Sequence, residues 1–266
     1  MLPIAVAQFT PTTDKKRNTE TIRTHVKSAA TRGARVVVFP EFSMYSAPAM
    51  DERFIQSAEP LNGDFVRELG VIAKESGLSV ICGMNEPTED PDRIHNTLVA
   101  VNEDGQIAAI YRKVHLYDAF GYTESSKVRP GAIEVPDLFE VGGIRFGMQT
   151  CYDVRFPEVT RRIVDAGADV LVLPAAWVPG PLKEDHWATL VRARAVENTM
   201  YVAACGQTAP GGIGRSMIVD PMGVQLASLA EAEGVAIADI SADRISEVRT
   251  VNPALNLRRF TVVERD

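Results

Sequence analysis

Apolar residues along this chain fall in short blocks, separated by glycine, proline and polar residues. Ile4 to Gln8 is an apolar run of strand length. Thr13-Asp14 can cap a helix reaching to about Thr31, and Gly33 is placed to end it. Arg35 to Phe39 is a β-branched run closed by Pro40, which predicts a buried strand. Asp64 opens a second helix, roughly Phe65 to Glu75, stopped by Gly77 and followed by a strand from Leu78 to Gly83. Thr97–Asn102 and Gln106–Tyr111 flank Asp104-Gly105, a hairpin signal. Ile144 to Gln149 reads as a short buried strand. Pro157, whose missing N–H has no partner in a first helical turn anyway, starts a helix to about Asp165, with Gly167 beyond it.

The second half repeats the plan of the first. Gly33-Ala34-Arg35-Val36-Val37-Val38-Phe39-Pro40 is echoed by Gly167-Ala168-Asp169-Val170-Leu171-Val172-Leu173-Pro174. Gln8 aligns with Gln149, Val80–Gly83 with Ala203–Gly206, and Asn96–Val101 with Arg215–Asp220. A unit this long is no solenoid repeat. Two β-α-β-α-β-β halves, each one sheet with helices on one face, fit a pseudo-twofold pair. Their strands are too continuously apolar to leave the other face wet. Sheet on sheet with helices outside gives an α/β fold, a four-layer α-β-β-α sandwich with an internal pseudo-twofold repeat. No linker is visible, so residues 1–266 are expected to form a single domain. The long mixed loop from Val114 to Pro136 is of a length that usually serves function.

Composition narrows the classes of function. The net charge is −7 and no Lys/Arg run occurs, which argues against nucleic acid or an acidic membrane surface as partner. The apolar runs are too short for a transmembrane helix, and Met1-Leu2-Pro3-Ile4 lacks the parts of a secretion signal. Three cysteines without CxxC spacing suit a reducing compartment. The four histidines make no ligand pair at helical spacing. A cytoplasmic protein without metal or cofactor is expected.

Three side chains stand just past strand ends, where crevices gather in open α/β sheets. They are Glu41 after Pro40, Lys113 after Ile110-Tyr111-Arg112, and Cys151 at a strand-to-helix junction with free N–H groups nearby. A thiol needs help to become a nucleophile near neutral pH. A buried carboxylate can take its proton, and an ammonium can hold the oxyanion of a tetrahedral intermediate. Such a trio suits hydrolysis of an amide through a thioester. Each residue also has a structural reading: Cys151 as a small buried hydrophobe, Glu41 as a solvated charge, Lys113 as a surface lysine beside Arg112. Cys82 and Cys205 lie inside strands and are assigned to packing, and His115 and His186 to local hydrogen bonding.

The segments Phe39-Pro40-Glu41-Phe42, Tyr111-Arg112-Lys113-Val114-His115-Leu116 and Cys151-Tyr152-Asp153-Val154-Arg155-Phe156-Pro157-Glu158 resemble, in order and spacing, the three signature blocks of the nitrilase superfamily of carbon–nitrogen hydrolases. The resemblance covers nearly the whole chain. It implies the four-layer sandwich and a catalytic triad on Glu41, Lys113 and Cys151. It also implies a second, substrate-positioning glutamate on Glu124, and an oxyanion site between Lys113 and the backbone N–H of Tyr152. Tyr152-Asp153 after the cysteine, Ala175-Ala176-Trp177, His186-Trp187 and Arg192–Asn198 are similar to the Nit-type amidases, which include ω-amidase and deaminated-glutathione amidase. The loop Asp118-Ala119-Phe120-Gly121-Tyr122 departs from the best-known members of that branch.

The expectation is an amidase acting on a small carboxylate-bearing amide and releasing ammonia. Alternatives are a nitrile or N-carbamoyl hydrolase on the same triad, or a catalytically silent binding or redox-sensing member. Arg155, four residues past Cys151, is either a surface ion pair with Asp153 or Glu158 or a fork for a substrate carboxylate, which planar guanidinium suits. Trp177 is either the apolar wall of that pocket or plain core. Family members commonly dimerise through the helix after the cysteine and clasp with their C-terminal tails. That implies a homodimer using the Pro157–Asp165 helix and the tail Val251 to Val263.

Overall fold

The computed structural model describes residues 1–265. Twelve strands form two six-stranded sheets. The first sheet holds β1 (Leu2–Gln8), β2 (Val36–Val38), β3 (Ser79–Pro87), β4 (Ile94–Val101) and β5 (Ile107–Arg112), plus the late strand β12 (Gly234–Ile240). The second holds β6 (Phe139–Val141), β7 (Ile144–Met148), β8 (Val170–Ala175), β9 (Tyr201–Gly206), β10 (Met217–Val219) and β11 (Gln225–Ser228). The helices are α1 (Lys15–Thr31), α2 (Glu52–Ser57), α3 (Asp64–Ser76), α4 (Pro157–Asp165), α5 (Lys183–Asn198) and α6 (Ala242–Val251).

The sheets have identical topology. Their orders are β12-β1-β2-β3-β4-β5 and β6-β7-β8-β9-β10-β11. From the first edge, both run antiparallel, parallel, parallel, antiparallel, antiparallel. The expectation that each half makes its own sheet therefore needs one correction. The chain returns after the second unit, and β12 closes the first sheet where β6 closes the second.

Strand alternation divides the core into three layers of side chains. Ile4, Val6, Val36, Val38 and Ile81 point inward against Phe146, Met148, Val170, Val172 and Ala203. Ala5, Ala7, Val37 and Val80 point outward to Ile22, Val26, Leu69 and Ile72 of α1 and α3. Leu171 and Leu173 meet Ile163 of α4 and Trp187, Val191 and Ala195 of α5. This is the four-layer sandwich expected from the apolar runs.

The repeat holds as a plan and over Gly33–Pro40 against Gly167–Pro174, but its other residue matches are one position out. Val36 pairs with Ser79, as Val170 pairs with Tyr201, so Ile81 corresponds to Ala203 and Gly83 to Cys205. The apparent match of Cys82 with Cys205 is one residue out, which reverses the face a side chain occupies. Cys82 packs toward the helices and Cys205 between the sheets. The same slip affects β4 against β10. It also separates Gln8, which bonds the backbone of Ala230, Ala232 and Ser216, from Gln149, which accepts from Thr160 of α4.

Helix ends follow local chemistry. Asp14 caps α1 by accepting from the backbone N–H of Arg17 at 3.1 Å. Gly77 closes α3 in the left-handed conformation at φ +64°. Among the described residues no helix is long and apolar enough to cross a membrane.

Candidate active site

The two halves deliver their strand ends to one place. Glu41 follows β2, Lys113 follows β5, and Cys151 and Ala176 follow β7 and β8. β3 can pass against the Glu41 turn only because residue 83 is glycine. A Cβ there would stand 2.5 Å from the Phe42 nitrogen and 3.0 Å from Glu41 Cα.

Glu41 is 1% exposed, and every oxygen of its carboxylate is engaged. Oε1 accepts from Asn96 Nδ2 at 2.7 Å and from Lys113 Nζ at 3.0 Å. Oε2 accepts from the backbone N–H of Ala176 at 2.6 Å. Its backbone carbonyl receives Gln207 Nε2 at 2.8 Å. Lys113, 2% exposed, also donates to both oxygens of Glu124, at 3.1 and 2.8 Å. Glu124 lies in the 3-10 turn Glu124–Ser126 within the long loop, and its Oε2 further accepts from the Tyr117 N–H at 2.6 Å. Asn96 bridges the two glutamates, reaching Glu124 Oε1 at 3.3 Å.

Cys151 begins a 3-10 turn, Cys151–Arg155, in a left-handed backbone conformation at φ +45°. A non-glycine residue held there costs about 1–3 kcal/mol, which the surrounding contacts must offset. The first N–H groups of such a turn, including that of Tyr152, have no partner within it. The thiol is buried, and the charges of Glu41 and Lys113 reach it. Burial and the charge of Glu41 push it well above the usual thiol range, in spite of the Lys113 ammonium. Burial alone would favour neutral Lys113, but Glu124 and Glu41 outweigh it and hold its pKa well above the usual lysine range. The resting pair is thus a protonated thiol beside a protonated amine.

Asp153 locks the turn. It is fully buried, and its Oδ2 accepts from the Thr150 N–H at 3.1 Å and from Tyr111 Oη at 2.7 Å. Its Oδ1 accepts from the His115 N–H and lies 2.9 Å from His115 Nδ1, which must therefore carry the proton. The His115 ring stacks on Phe156 at 3.8 Å. One carboxylate thus ties the strand bearing Lys113 to the turn bearing Cys151.

Arg155 forms no ion pair with Asp153 or Glu158. Its guanidinium lies 4.9 Å over Trp177, with Phe120 and Tyr152 at 5.8 and 6.0 Å. Trp177 is at once core, among Leu173 and Trp187, and the floor of this pocket. Sequence reasoning brought Glu41, Lys113, Cys151, Glu124, Tyr152, Arg155 and Trp177 to this region, and the fold brings all seven together. It missed Asn96, Tyr117, Asp153 and Lys183. Asn96 carried one available signal, a polar residue within a buried strand. Among the described residues no cluster of His, Cys, Asp or Glu is arranged to hold a metal ion.

The sequence pattern of the family described as carbon-nitrogen hydrolase matches residues 3–250, and the chain belongs to that family. The chain is 39% identical to the deaminated glutathione amidase of Escherichia coli O157:H7, over 97% of either chain. Among solved structures, the NitFhit protein of C. elegans superposes with a TM-score of 0.89 at 28% identity, covering 97% of this chain and 65% of that one. A mutant of the Nesterenkonia sp. AN1 amidase superposes with a TM-score of 0.82 at 25% identity, covering 97% of this chain and 94% of that one. That mutant carries the acetamide moiety of fluoroacetamide covalently on its active-site cysteine.

Proposed function

We propose that this carbon–nitrogen hydrolase is an amidase that works through a thioester on Cys151, with Glu41 as general base and acid and Lys113 as electrostatic anchor. The observation that carries the reading is the convergence of the three groups in one buried site. Lys113 donates to Glu41 and to Glu124, and the buried Cys151 thiol lies in the field of Glu41 and Lys113. Because the resting thiol is protonated, Glu41 takes its proton as sulfur attacks the amide carbon. The oxyanion that forms is held by the Lys113 ammonium and the Tyr152 N–H. Protonated Glu41 then gives its proton to the nitrogen, the C–N bond breaks, and ammonia leaves a thioester. Glu41 next takes a proton from water as the water attacks the thioester, and the returning sulfur is reprotonated. Glu124 keeps the ammonium in place and, through the Tyr117 N–H, fixes the loop above it.

The substrate in this reading bears a carboxylate, received by Arg155. Support comes from a guanidinium that faces aromatic rings and has no carboxylate partner among the described residues, with Nε buried and unbonded. Deaminated glutathione is the substrate that the Escherichia coli relative's name carries. The same reading takes the protein as a homodimer. The tail lies along α4 through Arg258 to Asp165 at 2.5 Å, and it exposes Leu257, Phe260 and Val263.

Ammonia release from an equimolar panel tests the reaction class: an acid amide, its nitrile and its N-carbamoyl analogue, each assayed alone. Turnover of the amide well above the other two is expected. Preference for the nitrile or the carbamoyl compound overturns the amidase reading.

A further inference from the structure

Lys183 opens α5 and is 7% exposed, a rare burial for a lysine. Its Nζ donates to Tyr117 Oη at 2.8 Å and lies 3.8 Å over the Phe120 ring and 5.8 Å over Trp177. Arg155 stands over the same two rings. Two cations therefore share one aromatic floor and one aromatic cover. Their hydrogen-bond partners are Tyr117 Oη for Lys183 and His186 Nδ1, at 3.4 Å, for Arg155. Among the described residues no carboxylate pairs with either. The adjacent Glu184 is turned to Arg215 at 3.1 Å.

Like charges held together and half dry repel, and the repulsion is registered at Lys183. Burial and the charge of Arg155 lower its pKa below the usual lysine range. A negative group bound between the two would relieve this. A further positive group would add to it. Lys183 and Tyr117 lie within electrostatic reach of Cys151, whose thiolate raises the pKa of each.

We propose that Lys183 is a specificity-determining residue. With Arg155 it forms a two-cation seat that draws in the acyl group's carboxylate and turns away acyl groups bearing an ammonium beside that carboxylate. The inference rests on the carboxylate reading given for Arg155 and extends it from attraction to rejection. Specificity of this kind comes from a repulsive element as much as from an attractive one. An amino-acid amide and its deaminated counterpart have nearly the same shape, so the seat separates them by charge where a steric pocket could not.

The test uses three amides of matched length: glutaramate, glutamine and pentanamide. Values of kcat/KM are measured for the wild type, Lys183→Gln, Lys183→Arg and Tyr117→Phe. In Lys183→Gln the glutaramate-to-glutamine ratio is expected to fall about tenfold or more, and the glutaramate-to-pentanamide ratio to fall with it. Lys183→Arg is expected to restore most of both ratios. Tyr117→Phe, which removes only the hydrogen bond to Lys183, is expected to keep them. Equal losses on all three amides in Lys183→Gln would mean that Lys183 merely pins the Tyr117 loop, and would overturn the inference. Wild-type enzyme that prefers glutaramate, with unchanged ratios in Lys183→Gln, overturns this inference alone. Wild-type enzyme that takes pentanamide as readily as glutaramate overturns the Arg155 reading and this one together.

Discussion

Glu41 Oε2 accepts the backbone N–H of Ala176 at 2.6 Å, so a carboxylate from the first half of the chain is gripped by the second. With Oε1 held by Asn96 and Lys113, the side chain has a single orientation. Glu41→Gln should lower kcat/KM by about 100-fold or more, the size of effect that loss of a general acid/base produces. The amide also cannot accept at both ends, so either the Ala176 N–H or Lys113 loses its partner. Steady-state kinetics on an acid amide is the measurement, and near-normal turnover would remove Glu41 from the chemistry.

Asp153 touches neither Cys151 Sγ nor Lys113 Nζ in any hydrogen bond, yet it joins the elements that carry them. Asp153→Asn puts an amide NH₂ where only acceptors fit, against Tyr111, Thr150 or His115. Loss of hydrogen bonds to a buried charge should cost about 2–3 kcal/mol of unfolding free energy. Activity should fall with it, because the Cys151 turn loosens. Urea unfolding with and without the substitution checks this, and an unchanged midpoint would contradict it.

Alkaline pH should weaken the fold through Cys205. Burial raises this thiol from an ordinary 9.0 to about 12, the hydrogen bond from Ser216 notwithstanding. Since the folded value lies above the unfolded one, the protonated thiol favours the fold. That contribution is complete below about pH 9 and is lost as pH rises toward 12. Cys205→Ala should reduce the slope of unfolding free energy against pH by up to about 1.4 kcal/mol per unit in this window. Equal slopes in wild type and variant, from denaturant titrations at pH 9 to 11, would contradict it.

For the proposed homodimer, the tail supplies the test. Leu257, Phe260 and Val263 are 70%, 91% and 79% exposed, while Arg258 anchors the segment to α4. Light scattering at micromolar concentration should give twice the 29.0 kDa chain mass, and truncation after Pro253 should shift the mass toward one chain. A monomer for the full chain would overturn the proposal.

The four layers were readable because buried strands such as Val36–Val38 and Val170–Ala175 have no polar residue to mark an outer face. β12 was not readable. Gly234-Val235-Ala236-Ile237-Ala238-Asp239-Ile240 is half-exposed and weakly patterned, and its place beside β1 is set by long-range pairing. Outside Gly33–Pro40 and Gly167–Pro174 the register of the repeat failed for a related reason: runs of Val and Ala look alike after a one-residue shift, and only cross-strand pairing tells them apart. Glu41, Lys113 and Cys151 were visible as chemistry-bearing side chains past strand ends. Lys183 was not, because a lysine at the start of a polar helix gives no sign that its ammonium turns inward over Phe120 and Trp177.

The central claim is that Cys151 carries the acyl group. Ammonia release from glutaramate by Cys151→Ala, set against wild type at the same enzyme concentration, tests it most directly. The alanine changes little of a core this large, so the variant should unfold at nearly the wild-type urea midpoint while releasing ammonia no faster than the uncatalysed background. Ammonia release by the variant within about tenfold of wild type would contradict a thioester route through Cys151.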